Sequence, residues 1–124
     1  MTAPKDFDVE GDLGRYHPAG HVSLEEGVKG VTAAIRYARE QKLGKLLVDT
    51  TALTGFGPPS SASRLVMADE WARASGGVIR IAFIARPEMI HPQKFGVAVA
   101  VKRGAITDVF TTERDALAWL GEAT

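Results

Sequence analysis

The sequence predicts a single α/β domain in which a mixed, mostly parallel sheet of four or five strands is flanked by about four helices in layers. Short apolar runs typical of strands alternate with segments whose apolar residues recur every three or four positions, as on one face of a helix. The length of 124 residues, 45% of them hydrophobic, suits one domain over residues 1–124 with its own core. The predicted order of elements is β-β-α-β-α-β-α-β-α.

The first predicted element is an antiparallel hairpin. Apolar and acidic residues alternate over residues 7–10, and Gly11-Asp12 suits a two-residue turn that begins with glycine. The second arm, residues 13–22, contains Pro18 and Gly20, so it is expected to be an edge strand or a bulged one.

A long helix is predicted after the hairpin. Ser23 and Glu26 have the spacing of a capping box, in which each side chain accepts a hydrogen bond from the backbone N–H of the other residue. An apolar helical face follows, and the helix is expected to end near Gly44. That face consists of Leu24, Val28, Val31, Ile35 and Ala38.

The central part of the chain predicts two buried strands and a helix between them. Residues 45–50 are apolar on both faces of a strand, which suits a central strand covered by helices. Residues 61–75 are predicted to form a helix that stops at Gly76-Gly77, and residues 78–85 to form the next strand. The helix is expected to bury a stripe formed by Ala62, Leu65, Ala68 and Ala72.

Residues 93–103 fit either a strand or a helix, because valines alternate there with glycine and alanine. A parallel strand at residues 108–110, beside the strand at residues 78–85, needs a crossover of a dozen or more residues, which is usually helical. We therefore predict a helix over residues 93–103. The last helix is predicted to begin at Thr112, an N-cap three residues before Asp115.

Composition argues against several classes of function. The 15 lysine and arginine residues balance 15 acidic residues, so we expect no large electrostatic surface for nucleic acid. Because the chain has no cysteine, disulfides and thiolate metal sites are excluded, which fits a reducing, cytoplasmic location. No signal peptide is recognisable and no apolar run approaches the roughly 20 residues that cross a bilayer, so no membrane insertion is expected.

A set of motifs extends along nearly the whole chain, at residues 18–25, 46–49, 53–56, Arg64, 71–72, 95–97, 103–104, 109–111 and 116–120. In these motifs the chain resembles the STAS-like family, the group of SpoIIAA-like domains, and within it the small stand-alone bacterial proteins of the STAS/SEC14 type. The resemblance implies a cytoplasmic regulatory or ligand-binding domain with a mixed sheet of four or five strands. The motifs shape a fold and carry no catalytic signature.

One departure from the family concerns phosphorylation. Members that act as anti-sigma-factor antagonists carry Asp-Ser-Ser or a similar element at the start of the helix after the strand that here ends at Asp49, and a kinase phosphorylates the serine. Residues 57–64 of this chain contain serines but no aspartate in register. Regulation by phosphorylation is therefore not carried over.

The candidate site lies at the loops that follow the parallel strands. In open α/β sheets, ligands bind outside the carboxyl ends of the strands, where the loops converge. These loops are residues 49–63, 86–92 and 111–112. The candidate ligand-binding or partner-binding residues are Asp49, Thr50, Phe56, Ser60, Ser61, Arg64 and Arg86.

Each candidate has a possible chemical role and a structural alternative. Asp49 could accept a hydrogen bond or a proton from a ligand. Ser60 and Ser61 could present hydroxyl groups and helix-start amides to an anion. Arg64 or Arg86 could pair with the same anion. In the alternative, Asp49 and Thr50 tie down their loop, Ser60 or Ser61 is an N-cap, and Arg64 packs its stem and pairs locally.

Other chemistries lack a matching motif. Residues 55–59 contain glycines but not the ending of a phosphate-binding P-loop, so no nucleotide cofactor is expected. Phe56 in this loop is expected to fold back onto the core, with contact to a partner or a lipid as the alternative. The segment between His17 and His21 contains proline and glycine, which prevents helical ligand spacing, so no metal is expected. No Gly-x-Ser-x-Gly motif is present, and we expect no enzyme activity.

The functional hypotheses follow from these features. The leading one is a regulatory or binding module that contacts an unidentified protein partner or small ligand at the loops after residues 45–50 and 78–85. The alternatives are a carrier of a lipid or other hydrophobic ligand beside residues 95–101, and a hydrolase or isomerase at the same loops. A second apolar side of the helix at residues 61–75 is either buried or a homodimer face. It is formed by Met67, Trp71 and Ala74.

Overall fold

A five-stranded mixed sheet is the central layer of the computed structural model, which describes residues 2–122. The α/β fold class predicted from the sequence is confirmed. In chain order the elements are β1 (Phe7–Glu10), β2 (Leu13–Tyr16), β3 (Gly20–His21), α1 (Leu24–Glu40), β4 (Lys45–Asp49), β5 (Leu53–Thr54), α2 (Ser61–Ser75), β6 (Arg80–Ile84), a 3-10 turn (Pro87–Met89), α3 (Phe95–Lys102), β7 (Ile106–Phe110) and α4 (Glu113–Leu120).

The order of strands in the sheet determines where the helices lie. The order is β1-β2-β4-β6-β7, with β1 antiparallel to β2 and the other neighbours parallel. Since the parallel crossovers all advance in one direction and such crossovers are right-handed, α1, α2 and α3 are expected on the same face. Ile81 of β6 accordingly packs with α1 and α2, whereas its neighbour Ala82 packs with α4 on the opposite face.

The hairpin forms as predicted, but its second arm is short, and the expectation of an edge or bulged strand there is wrong, because β2 lies between β1 and β4 in continuous register. Glu10 pairs with Leu13 across the two-residue turn. The arm leaves the sheet after Tyr16, before Pro18, which has no N–H to donate to a strand ladder. The chain pairs again at Gly20, as the start of β3, in a separate two-stranded parallel sheet with β5 that the sequence pattern did not predict.

The capping box of α1 is present, but the predicted end of the helix is wrong. The Ser23 Oγ accepts a hydrogen bond from the Glu26 N–H at 3.1 Å, and the Glu26 carboxylate accepts one from the Ser23 N–H at 3.0 Å. The helix ends at Glu40, and Lys42 takes the left-handed conformation that glycine was expected to supply. Gly44 instead donates its N–H to the Asp12 carboxylate at 2.7 Å, joining the hairpin turn to β4.

Helix α2 has the predicted bounds but a different buried face. Ala68 and Ala72 are buried against α3, where Ala100 is their partner. Ala62 is exposed and the Leu65 side chain is 41% exposed, so the first half of the predicted stripe is wrong. The buried part of the stripe is the part that packs with Ala100 of α3, through small residues that allow the two helices to approach closely.

The other segments differ from the predictions mainly at their ends. Helix α3 confirms that this segment is helical, although it spans Phe95–Lys102 and not the whole of residues 93–103, and it provides the crossover to β7. Strand β6 begins at Arg80, and Val78, which was predicted to lie in a buried strand, is 65% exposed. Thr112 caps α4 by accepting a hydrogen bond from the Asp115 N–H at 3.2 Å, as predicted.

Candidate functional site

A cavity of about 170 Å³ lies between the sheet and the three helices of one face. It is located toward the carboxyl ends of the parallel strands, where the loop after β4 and the loop after β6 converge. Side chains from α1, α2, α3, β6 and β7 line it, and most of them are apolar. This is the position at which ligands bind in open α/β sheets.

Two stacked aromatic rings form part of the cavity wall. The indole of Trp71 on α2 lies over the ring of Phe83 on β6, with ring centroids 5.0 Å apart and an angle of 21° between the planes. The Trp71 Nε1–H donates a hydrogen bond to the Oγ1 of Thr32 on α1 at 3.1 Å. Because Thr32 is buried, this bond fixes the orientation of the indole and joins α1 to α2 beside the cavity.

The loop between β4 and α2 closes another side of the cavity. Phe56 lies close to Gly27 of α1, where a Cβ atom on the glycine would be 3.7 Å from the phenyl ring. Gly55 has a φ of +108°, and its Cα approaches the Val22 backbone so closely that a side chain would overlap the Val22 carbonyl oxygen. The pairing of β3 with β5 thus holds the loop, and Phe56 folds back onto the domain as expected.

Arg64, on the first turns of α2, lines the cavity with a partly buried guanidinium group. Its Nε donates to the Pro59 carbonyl oxygen at 3.0 Å, and its Nη2 donates to the Met89 carbonyl oxygen at 3.1 Å. The side chain therefore connects the loop after β4 to the loop after β6. Burial lowers the pKa of Arg64, since desolvation disfavours the charged form.

Two further cations line the cavity. Arg86 donates from Nη2 to the Leu53 carbonyl oxygen at 3.3 Å and has the Glu88 carboxylate 3.8 Å from its Nε. Lys94 forms an ion pair of 2.9 Å with Asp108. Among residues 2–122, no aspartate or glutamate lines the cavity, so its charged side chains are all basic.

Helix α3 contributes a further part of the cavity wall. Gly96 and Val97 line it, and a Cβ atom on Gly96 would be 3.9 Å from the Cβ of Arg64 on α2, an ordinary van der Waals distance. The two helices are therefore close together at this point, and the outer atoms of a larger side chain at position 96 would compete with Arg64 for space beside the cavity.

The structure brings four of the sequence-predicted residues together and places three elsewhere. Those that line the cavity are Thr50, Phe56, Arg64 and Arg86. Asp49 lies outside the cavity lining, where its carboxylate accepts hydrogen bonds from the Thr51 N–H at 3.0 Å and the Thr51 hydroxyl at 2.7 Å. Ser60 is the N-cap of α2, and Ser61 is its exposed first residue. Asp49 and Ser60 thus make the local contacts of the structural alternative.

Sequence reasoning missed the aromatic wall and much of the lining from the loop after β6. Trp71 was assigned, with Met67 and Ala74, to a second apolar side of α2. In the structure Trp71 and Met67 line the cavity and Ala74 lies in the core, so this side of the helix packs within the chain. Phe83 was predicted only as a strand residue. Its register opposite Val109 on β7, another lining residue, would have been the signal, but that pairing is not visible in the sequence.

The three histidines lie in different surroundings. His17 Nε2 is 2.7 Å from the Asp8 carboxylate, and this hydrogen bond raises the pKa of His17. His21 Nδ1 is 3.4 Å from the Thr54 hydroxyl. His91 lines the cavity, and its Nδ1 accepts a hydrogen bond from the Gln93 N–H. No group of three or more potential metal ligands occurs within residues 2–122.

None of the helices in the part of the chain that the structure describes is long and apolar enough to cross a membrane. In comparisons with known proteins, no protein-family model matches the chain. A comparison with curated proteins finds no match either.

Proposed function

We propose that this chain is a STAS-like binding module that holds a small, largely apolar ligand in the cavity between the sheet and helices α1, α2 and α3. The observation that carries the proposal is the cavity itself, lined mainly by apolar side chains at the carboxyl ends of the parallel strands. The mixed five-stranded sheet is the architecture that the STAS-like resemblance implies, and it supports that part of the proposal.

The volume of the cavity supports a ligand site. Protein interiors are close-packed and contain few voids larger than a water molecule. An apolar cavity of roughly 150 Å³ is large enough to take up benzene, and this one measures about 170 Å³. A ligand of about that size would make dispersion contacts with the apolar side chains that line the cavity.

The position of the cavity combines the two leading sequence hypotheses. It is reached by the loops after β4 and β6, where a binding module was expected to act, and it is lined by α3, beside which a hydrophobic-ligand carrier was expected to hold its cargo. The hydrolase alternative required Asp49, a serine and a histidine within reach of one another. Asp49 and Ser60 instead bond to neighbours in their own segments, so binding is the function we propose.

The test uses Trp71 as a reporter of ligand binding. The chain has two tryptophans, and Trp119 packs against Phe110, next to the α4 face of the sheet. In a Trp119→Phe background, Trp71 is the sole tryptophan and lines the cavity. Titration with toluene, a neutral single-ring probe, is expected to change Trp71 fluorescence in a saturable manner and to raise the melting temperature.

Filling the cavity provides the matched control. Gly96→Leu is expected to abolish toluene binding, because the new side chain would occupy space beside Arg64. Ala98→Leu adds the same side chain to an exposed position of α3 and should leave binding intact. If Gly96→Leu binds toluene as tightly as Ala98→Leu, or if the parent protein binds neither toluene nor a single-ring probe that carries a polar group, the proposed function is wrong.

A further inference from the structure

We infer that the cavity is specific for a small aryl carboxylate, a single aromatic ring with one acid group, and that Arg64 holds the carboxylate. This inference rests on the proposed function and adds the chemical class of the ligand. It follows from the charge of the lining, the hydrogen bonds of Arg64, the volume of the cavity and its aromatic wall.

The charge of the lining favours an anionic ligand. Its charged side chains are Arg64, Arg86 and Lys94, with no acidic residue of the described chain among them. Lys94 is neutralised by Asp108, and Arg86 has Glu88 nearby. Arg64 forms no ion pair with any carboxylate in residues 2–122. A partly buried cation without a counter-charge is costly, and a ligand anion would offset that cost.

The hydrogen bonds of Arg64 leave donors for a ligand. Its Nε and one Nη2 hydrogen are used by the Pro59 and Met89 carbonyl oxygens, which hold the guanidinium plane in place. A guanidinium has five N–H donors, so Nη1 and the second Nη2 hydrogen stay available. Carboxylates suit such a preorganised planar group because two oxygens can accept from it at once.

The volume of the cavity suits a ligand whose apolar part is about one ring. A cavity of roughly 150 Å³ accommodates benzene, so a cavity of about 170 Å³ accommodates a ring with a short substituent. A phospholipid with two long acyl chains is far larger than this volume. We therefore infer a small acid as the ligand.

The wall of the cavity favours an aromatic ligand over an alkyl chain of the same volume. Trp71 and Phe83 present stacked rings to the cavity, and aromatic rings gain additional stabilisation from offset or edge-to-face contacts with one another. The hydrogen bond from Trp71 to Thr32 prevents the indole from rotating away from this position. A ring that packs beside Phe83 would thus meet a preformed surface.

The experiment compares phenylacetate with phenylacetamide, its neutral isostere, by isothermal titration calorimetry. Phenylacetate is expected to bind at least about tenfold more tightly, since hydrogen bonds to charged groups contribute roughly 1.5–3 kcal/mol and 1.4 kcal/mol is a factor of ten. Arg64→Gln should remove most of this preference while changing phenylacetamide affinity by less than about threefold. Arg73→Gln, on the exposed side of the same helix, should leave the preference unchanged.

The outcomes separate this inference from the proposed function. If phenylacetamide and toluene bind as tightly as phenylacetate, the cavity is a site for neutral rings, so the inference is overturned and the proposed function stands. If none of the three binds, both are wrong. If the acid is preferred but Arg64→Gln retains the preference, the assignment to Arg64 is overturned. Should Arg64→Gln fail to fold, Arg64→Lys replaces it, and a reduced preference for the acid in that variant supports the inference.

Discussion

Replacing Thr32 with valine and Trp71 with phenylalanine, singly and together, measures the hydrogen bond that joins α1 to α2 beside the cavity. Thr32 is 3% exposed, and its hydroxyl both donates to the Val28 carbonyl oxygen at 2.9 Å and accepts from the Trp71 Nε1–H at 3.1 Å. Valine preserves the shape of threonine without the hydroxyl. Phenylalanine preserves an aromatic ring beside Phe83 without the N–H donor.

The expected magnitudes follow from these contacts. Thr32→Val should lower the free energy of unfolding by about 1–2 kcal/mol, because the half-buried Trp71 N–H loses its partner. Trp71→Phe should lower it by roughly 1–3 kcal/mol, since the hydrogen bond and part of the stacking area against Phe83 are lost together. Both single variants remove the same bond. The double variant should therefore be less destabilised than the sum of the single variants, by about 1 kcal/mol.

Urea denaturation followed by far-ultraviolet circular dichroism is the appropriate assay, because it does not depend on tryptophan fluorescence. The parent protein, the two single variants and the double variant form a double-mutant cycle. The free energy of unfolding must fall with urea concentration at the same slope in all four proteins, which shows that the extent of unfolding is unchanged. If the two substitutions are additive within about 0.3 kcal/mol, the hydrogen bond contributes nothing measurable. That result would refute the view that it holds the indole in the cavity wall.

Three further predictions concern the loops and surface of the domain. Gly55→Ala should destabilise the fold by roughly 2–3 kcal/mol in urea denaturation, because a side chain there would overlap the Val22 carbonyl oxygen, and a loss below about 1 kcal/mol would contradict this close approach. Ser60→Ala should cost about 1 kcal/mol by removing the N-cap of α2 and should speed amide hydrogen exchange in its first turn; unchanged exchange would exclude the cap. The Asp8 hydrogen bond raises the pKa of His17, so its stabilisation is present below pH ~6.5 and is lost as the pH rises through the raised pKa. In an NMR titration Asp8→Asn should return that pKa toward the ordinary value, and an unaltered pKa would show that the pair does not form in solution.

The beginnings of α1 and α4 could be predicted because their signals are local. The Ser23 and Glu26 side chains bond to each other's backbone within one turn, and the Thr112 hydroxyl caps α4 by accepting from the Asp115 N–H. Gly76 stops α2 in the left-handed conformation that glycine tolerates. These interactions join residues three or four positions apart, so a sequence pattern is sufficient to locate them.

The pairings and the buried faces could not be predicted in the same way. Leu65 and Ala68 occupy the same predicted stripe of α2, yet only Ala68 of these two is buried, in a cluster with Ala100 of α3, which lies about 30 residues later in the chain. In the pairing of β3 with β5, Gly20 is the register partner of Leu53, although α1 and β4 lie between these two residues in the sequence. Such contacts between distant segments leave no periodicity that a sequence pattern could report.

The sequence by itself determined the fold class and the order along the chain of the helices and of the strands of the main sheet, because these depend on local propensity. It also determined the end of the sheet at which Arg64 and Arg86 lie, because this follows from the rules of parallel crossovers. Only the tertiary structure decided that Asp49 turns into its own loop while Arg64 lines a cavity with Trp71. The cavity is a gap between three helices and two strands that are distant in sequence. Its existence, its volume and its basic lining depend on how those elements pack, which no single segment determines.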